Sequence, residues 1–177
     1  MQHVTTHMPR QTVYITSRDN PMNEYERCYG LQKIKVYLDN CCYNRPYDDQ
    51  TQLRIELETK AKLSIQHQIV EKRILLVSSV ILEFENNDNP YELRKVVIND
   101  FLKNASDYVD ESKEVVTIAH EVSRKGIKVK DASHIACAIY AKCDYFLTTD
   151  DRLLKYNDDR IQIINPVDFI MLEGANI

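Results

Sequence analysis

The feature that most constrains this chain is the stretch 128–150, in which a helix of small apolar residues precedes a short buried strand. Apolar residues at helical spacing predict a helix over 131–141. Residues 145–149 are predicted to form the strand. Asp131 begins the predicted helix and Asp150 follows the strand. Sites in open α/β sheets lie at the carboxyl ends of strands, so we expect these acids to converge. Either acid alone would be interpreted as a helix cap.

Strands and helices alternate along the rest of the chain. This alternation predicts an α/β fold: a three-layer α/β/α sandwich with a central, mainly parallel sheet and right-handed crossovers. The other predicted strands cover 34–38, 74–78, 107–110 and 161–164. Further helices are predicted over 50–73, 79–85 and 115–122, and a terminal helix is predicted from Pro166. Another predicted helix has Asn89 as its N-cap and Pro90 as its first residue. Residues 40–49 are predicted to form a loop.

Two regions differ in composition. Residues 1–30 are polar and lack periodicity, which predicts a flexible N-terminal extension, and 31–177 is predicted to be one folded domain. No run approaches the roughly 18 apolar residues that span a membrane, and the N-terminus lacks the apolar centre of a secretory signal. We therefore expect a cytoplasmic protein without a membrane segment.

Composition excludes several kinds of site. Only three glycines are present, too few for a Walker A loop or a Rossmann fingerprint. The five cysteines include no C-x-x-C pair, which argues against structural zinc and indicates free thiols. The adjacent Cys41 and Cys42 are interpreted as core packing. A net charge of −4 is unusual for a nucleic-acid-binding protein, unless clustered carboxylates hold divalent cations that dominate the local charge.

Acids follow several predicted strands. Asp39 ends the first strand, and Glu83 or Glu85 follows the second. With Asp131 and Asp150 they form an oxygen-ligand set of the kind that hard divalent cations prefer. Two such ions about 3.5–4 Å apart would clamp a scissile phosphate and activate water.

Four segments carry these acids, and together they resemble the PIN-domain nucleases over roughly 34–172. They are VYLDN at 36–40, Ser79 to Glu85, KDASHIA at 130–136 and FLTTD at 146–150. The resemblance implies a Mg²⁺- or Mn²⁺-dependent endoribonuclease, often the toxin of a toxin–antitoxin pair. It also implies the site residues: Asp39, Glu85, Asp131 and Asp150 as metal-binding and catalytic acids, with Thr148 as a supporting hydroxyl.

The chain differs from the family pattern at residue 41, and two glutamates are candidates for the acid that follows the second strand. Cys41 stands where the family often has Asn or Ser, which weakens any supporting role there. Glu83 and Glu85 lie on opposite sides of a helix, so only one faces the site, and the spacing from Ser79 favours Glu85. His134 is interpreted as a packed core residue outside the site.

The leading hypothesis is a nuclease with an RNA substrate, a possible antitoxin protein as partner, and a homodimeric state. The expected partner surface lies on the helix at 50–73 or the helix at 90–104. One alternative is a non-catalytic PIN-like module that binds RNA or protein. Another is a DNA-directed nuclease of the same fold.

Overall fold

A five-stranded parallel sheet lies at the centre of the computed structural model, which describes residues 33–174. The predicted extension over 1–30 lies outside the described residues. The strand order is β3-β2-β1-β4-β5, and all neighbouring pairs are parallel. The predicted α/β class with a parallel sheet is thereby confirmed. The strands are β1 (Lys35–Leu38), β2 (Leu75–Ser79), β3 (Asp107–Val109), β4 (Tyr145–Leu147) and β5 (Gln162–Ile164).

Helices connect the strands. Within residues 33–174 they are α1 (Asn40–Asn44), α2 (Leu53–Val70), α3 (Val80–Asn87), α4 (Glu92–Leu102), α5 (Lys113–Arg124), α6 (Val129–Tyr140) and α7 (Pro166–Gly174), with 3₁₀ turns at Arg45–Tyr47 and Leu153–Lys155. None of these described helices combines the length and the apolar character needed to cross a membrane.

Three local predictions are wrong. The segment 40–49 is not a plain loop, because α1 and a 3₁₀ turn occupy most of it. Helix α4 begins at Glu92 with Tyr91 as N-cap, because the Asn89 side chain instead accepts a hydrogen bond from the Tyr91 amide at 3.1 Å. Asp131 does not begin α6, which starts two residues earlier. Asp131 therefore lies within the first turn.

The sheet is covered on both faces, which gives the three predicted layers. In β1, Val36 and Leu38 face the cluster formed with α2 and α7, whereas Tyr37 faces the cluster formed with α5 and α6. The small side chains of α6, including Ala132 and Ala136, are fully buried against the sheet. Small side chains of this kind allow a helix to approach a sheet closely.

The carboxyl ends of the inner strands meet at one edge of the sheet. The register pairs Leu38 of β1 with Leu147 of β4, and the Asp39 amide donates to the Leu147 carbonyl at 2.9 Å. Strand β2 ends at Ser79, whose hydroxyl accepts from the Leu82 amide and so begins α3 directly. Residues that follow β1, β2 and β4 are consequently brought together.

Candidate metal centre

Asp39 is the buried acid of this edge. It follows the central strand β1, and its Oδ2 accepts hydrogen bonds from the Thr148 hydroxyl at 2.8 Å and from the Cys41 thiol at 3.0 Å. Burial raises the pKa of Asp39 well above its usual value. A buried, desolvated carboxylate of this kind gains most from a nearby positive charge.

Cys41 contacts residues of the site, although a supporting role for a cysteine at this position was not expected from the sequence. Its Sγ lies 3.3 Å from the Thr148 hydroxyl and accepts from the Thr149 amide at 3.3 Å, in addition to its contact with Asp39. A thiol at this position therefore contacts both Asp39 and the residues that follow β4. Cys42 is fully buried and Cys41 packs against the same core cluster, which agrees with the core-packing interpretation of the pair.

Glu85 is the acid contributed by α3. Its Oε2 lies 2.9 Å from His134 Nε2 and its Oε1 lies 2.5 Å from Lys130 Nζ. Burial raises the pKa of Glu85, but the hydrogen bonds from His134 and Lys130 outweigh it, so the pKa lies below its usual value. Glu83 projects elsewhere and accepts from the Tyr108 hydroxyl at 3.0 Å. The two glutamates thus have different surroundings.

His134 is a core residue that also reaches the site. Its side chain is 1% exposed, and its Nδ1 lies 2.8 Å from the Tyr37 hydroxyl. That hydroxyl lies 2.7 Å from the Ser79 hydroxyl. Ser79, Tyr37, His134 and Glu85 therefore form a continuous chain of hydrogen-bonding groups. The only sequence signal for this role was the position of His134 one turn after Asp131.

A candidate ligand set follows from these contacts. Asp39, Glu85 and His134 each offer one ligand atom, and these atoms lie within 4.8 Å of one another. Carboxylate oxygens suit Mg²⁺ and Mn²⁺, and imidazole nitrogen is a common ligand of transition metals. The residues present therefore fit a divalent cation chemically.

Asp131 and Asp150 form a neighbouring pair joined by Arg152. Arg152 Nη2 lies 2.5 Å from Asp150 Oδ2 and 3.9 Å from Asp131 Oδ2. The hydrogen bonds from Arg152 lower the pKa of Asp150. The Asp150 amide also donates to the Thr148 hydroxyl at 3.1 Å, the same hydroxyl that holds Asp39. The four acids predicted from the sequence thus lie in two adjacent groups, linked through Thr148.

Fold and site together define a class: an α/β protein with a parallel sheet whose carboxyl edge gathers acids around a buried aspartate. A family model for the PIN domain matches residues 36–159. The chain belongs to the PIN domain family, which confirms the family resemblance inferred from the sequence. A comparison with curated proteins gives no match.

Three solved structures are similar to this chain, each at 14% sequence identity. One is VapBC2 from Rickettsia felis bound to a DNA fragment from their promoter, with a TM-score of 0.52 over 75% of this chain and 98% of that chain. The others are FitAcB from Neisseria gonorrhoeae (TM-score 0.48, 74% and 97%) and DNA-bound VapBC from Salmonella typhimurium (0.49, 75% and 98%). The first similarity indicates a shared fold.

Proposed function

We propose that this protein is an endoribonuclease that requires Mg²⁺ or Mn²⁺ and uses Asp39, Glu85, Asp131 and Asp150 as its metal-binding and catalytic acids. The observation that carries the proposal is the buried carboxylate of Asp39, with further acids gathered around it at the carboxyl edge of the sheet. Membership of the PIN domain family supports the same reaction class.

The role proposed for each residue of the site follows from its contacts. Asp39 and Glu85 would hold the cation, which when bound would supply polarisation of the phosphate and a lowered pKa of a water molecule. Thr148 fixes the Asp39 carboxylate through its hydroxyl. Lys130 and Arg152 offset the charge of the acids and supply positive charge for the RNA backbone.

The proposal includes partners and a location. We infer an antitoxin protein as a partner, a homodimeric state and a cytoplasmic location, in line with the toxin-type PIN nucleases that the sequence resembles. Helices α2 and α4 support a partner surface, because both expose large apolar side chains. These are Leu53, Leu57 and Leu63 on α2, and Leu93, Val96 and Val97 on α4.

We expect the purified chain to cleave single-stranded RNA with Mg²⁺ or Mn²⁺ and to leave 5′-phosphate and 3′-hydroxyl ends. Among the described residues of this edge His134 stands without a second histidine, so the acid–base pair that a metal-independent route through the 2′-hydroxyl requires is missing. The measurement is cleavage of labelled RNA and DNA oligonucleotides with each cation and with EDTA.

Two substitutions test whether cleavage depends on the acids of the proposed site. Asp131→Asn should lose cleavage, whereas Asp151→Asn should retain it, because Asp151 is exposed and pairs with Arg54. Undiminished cleavage in excess EDTA would contradict the metal requirement. Cleavage of DNA alone would favour the DNA-directed alternative. RNA binding without cleavage would favour the non-catalytic module.

Tyr37 is expected to control the metal site through His134. Tyr37→Phe removes the hydroxyl that contacts His134 Nδ1 but keeps the ring stacked on Phe146, at 5.6 Å between centroids. Loss of such an outer contact should weaken Mn²⁺ binding by about 10- to 100-fold, measured by titration calorimetry. Tyr43→Phe is the matched control, because the buried Tyr43 hydroxyl has no partner in the described residues. Equal affinities in both variants would exclude this role.

A further inference from the structure

A pocket of about 380 Å³ lies among α1, the 3₁₀ turn that follows it, α2 and α4. Its lining is mostly apolar and aromatic and includes Tyr43, Leu63, Ile98 and Phe101. Pockets of this size with an apolar lining and a few polar groups are typical of small-molecule sites. None of the four acids of the candidate metal centre lines it.

Lys62 is a buried cation in this pocket. It is 6% exposed, although lysine is almost never fully buried without a partner. Within residues 33–174 it forms no hydrogen bond or ion pair, and its Nζ lies 5.9 Å from the centroid of the Tyr43 ring. Burial lowers the pKa of Lys62 to about 8, so the side chain is still mainly charged at neutral pH.

Nearby carboxylates are already engaged. Glu58, one helical turn before Lys62, is bonded to Arg45 and Arg54. Asp100 lines the pocket, but its carboxylate is exposed and lies 2.9 Å from Lys103 Nζ. The buried hydroxyl of Tyr43 is a second polar group without a partner among the described residues. Among the described residues, the pocket lining therefore includes one positive charge, on Lys62, and one hydroxyl, on Tyr43, that have no hydrogen-bond or ion-pair partner.

We propose that this pocket binds a small carboxylate with an apolar body, whose carboxylate pairs with Lys62. The apolar body packs against Leu63, Ile98 and Phe101. A single buried ammonium matches the single charge of a carboxylate, whereas a phosphate dianion needs more positive charge than the pocket supplies. This inference is independent of the proposed nuclease function.

The test uses the full-length chain with 4-phenylbutyrate as the probe and its neutral amide as the matched ligand. We expect saturable binding of the carboxylate by titration calorimetry and little binding of the amide. The pKa of Lys62, followed by NMR of its ¹³Cε, should rise by roughly one unit or more when the carboxylate binds, because an opposite charge favours the ammonium.

Lys62→Met tests the residue itself, because methionine keeps much of the apolar stem and removes the charge. It should fold normally, since it removes an unpaired buried charge, and should bind 4-phenylbutyrate at least roughly tenfold more weakly. Lys60→Met is the control, because Lys60 is exposed on the same helix and pairs with Glu56. Its affinity should match that of the parent.

Several results would overturn the inference. They are no saturable binding at millimolar probe, equal affinity for the amide, or equal affinity of Lys62→Met and the parent. Lys62-dependent binding of an acidic apolar peptide, without binding of the free carboxylate, would also overturn it. That outcome would identify the pocket as a protein-docking site.

Discussion

Asp39→Asn should abolish Mn²⁺ binding and lower RNA cleavage by more than about 100-fold. This loss is larger than the roughly 10- to 100-fold loss expected when a residue that contacts a metal ligand is changed. The substitution preserves the size of the side chain and its contacts with Thr148 and Cys41. It removes only the charge that a cation needs. Calorimetry with Mn²⁺ and cleavage of labelled RNA measure the two effects, and Asp100→Asn, at an exposed position on α4, is the control.

Asp39→Asn should also change how the free energy of unfolding depends on pH. Burial raises the pKa of Asp39 in the folded protein above the ordinary value of 3.8. The folded state then holds more protons than the unfolded state, so the free energy of unfolding falls as pH rises from about 4 through the folded pKa. In EDTA, Asp39→Asn should lack this decrease and be at least as stable as the parent at pH 7.

Urea unfolding in EDTA across this pH range measures the difference between the two proteins. Strong destabilisation of Asp39→Asn at neutral pH would contradict the prediction. It would mean that the hydrogen bonds to the carboxylate, rather than its charge, determine the stability of this part of the sheet edge.

Glu58→Ala should lower the free energy of unfolding by about 1–3 kcal/mol, because it leaves the largely buried side chains of Arg45 and Asn165 without their carboxylate partner. The Glu58 side chain is 2% exposed, and its Oε1 accepts from Arg54 at 2.9 Å and Asn165 at 2.8 Å. Arg45 Nε lies 2.8 Å from Oε2, close enough for an ion pair although not aligned as a hydrogen bond. The carboxylate thus connects α2 to the 3₁₀ turn after α1 and to the residue before α7.

The control for this measurement is Glu56→Ala, two residues earlier on the same helix. Glu56 forms an exposed pair with Lys60, and such pairs contribute about 0–1 kcal/mol. Thermal and urea unfolding of both variants should separate them clearly. Similar losses would contradict the role given to Glu58.

The sheet and its acidic edge could be predicted from the sequence because both follow from short-range patterns. Apolar runs identify the strands, and the residue after each strand is placed by the chain itself. Asp39 and Asp150 therefore could be assigned to one edge before any contact was known. The family resemblance added Glu85, whose distance from Ser79 follows from helix geometry.

The remaining contacts depend on packing between distant segments. His134 reaches Glu85 because α6 packs beside α3, 49 residues apart in sequence. The Arg152 side chain pairs with Asp150 and approaches Asp131. The orientation of this side chain cannot be predicted from the periodicity of the sequence. Cys41 also required the structure, because its neighbours Thr148 and Thr149 come from a different strand end.

The link between Asp39 and Thr148 has a consequence for how the protein is made. The two residues are 109 positions apart, and β1 cannot pair with β4 until the later strand exists. At synthesis rates of about 5–20 residues per second, that interval lasts on the order of 5–20 s. A nascent chain therefore lacks the complete edge until β4 and Thr148 have been synthesised. The proposed RNA-cleaving activity should arise only after these residues have left the ribosome.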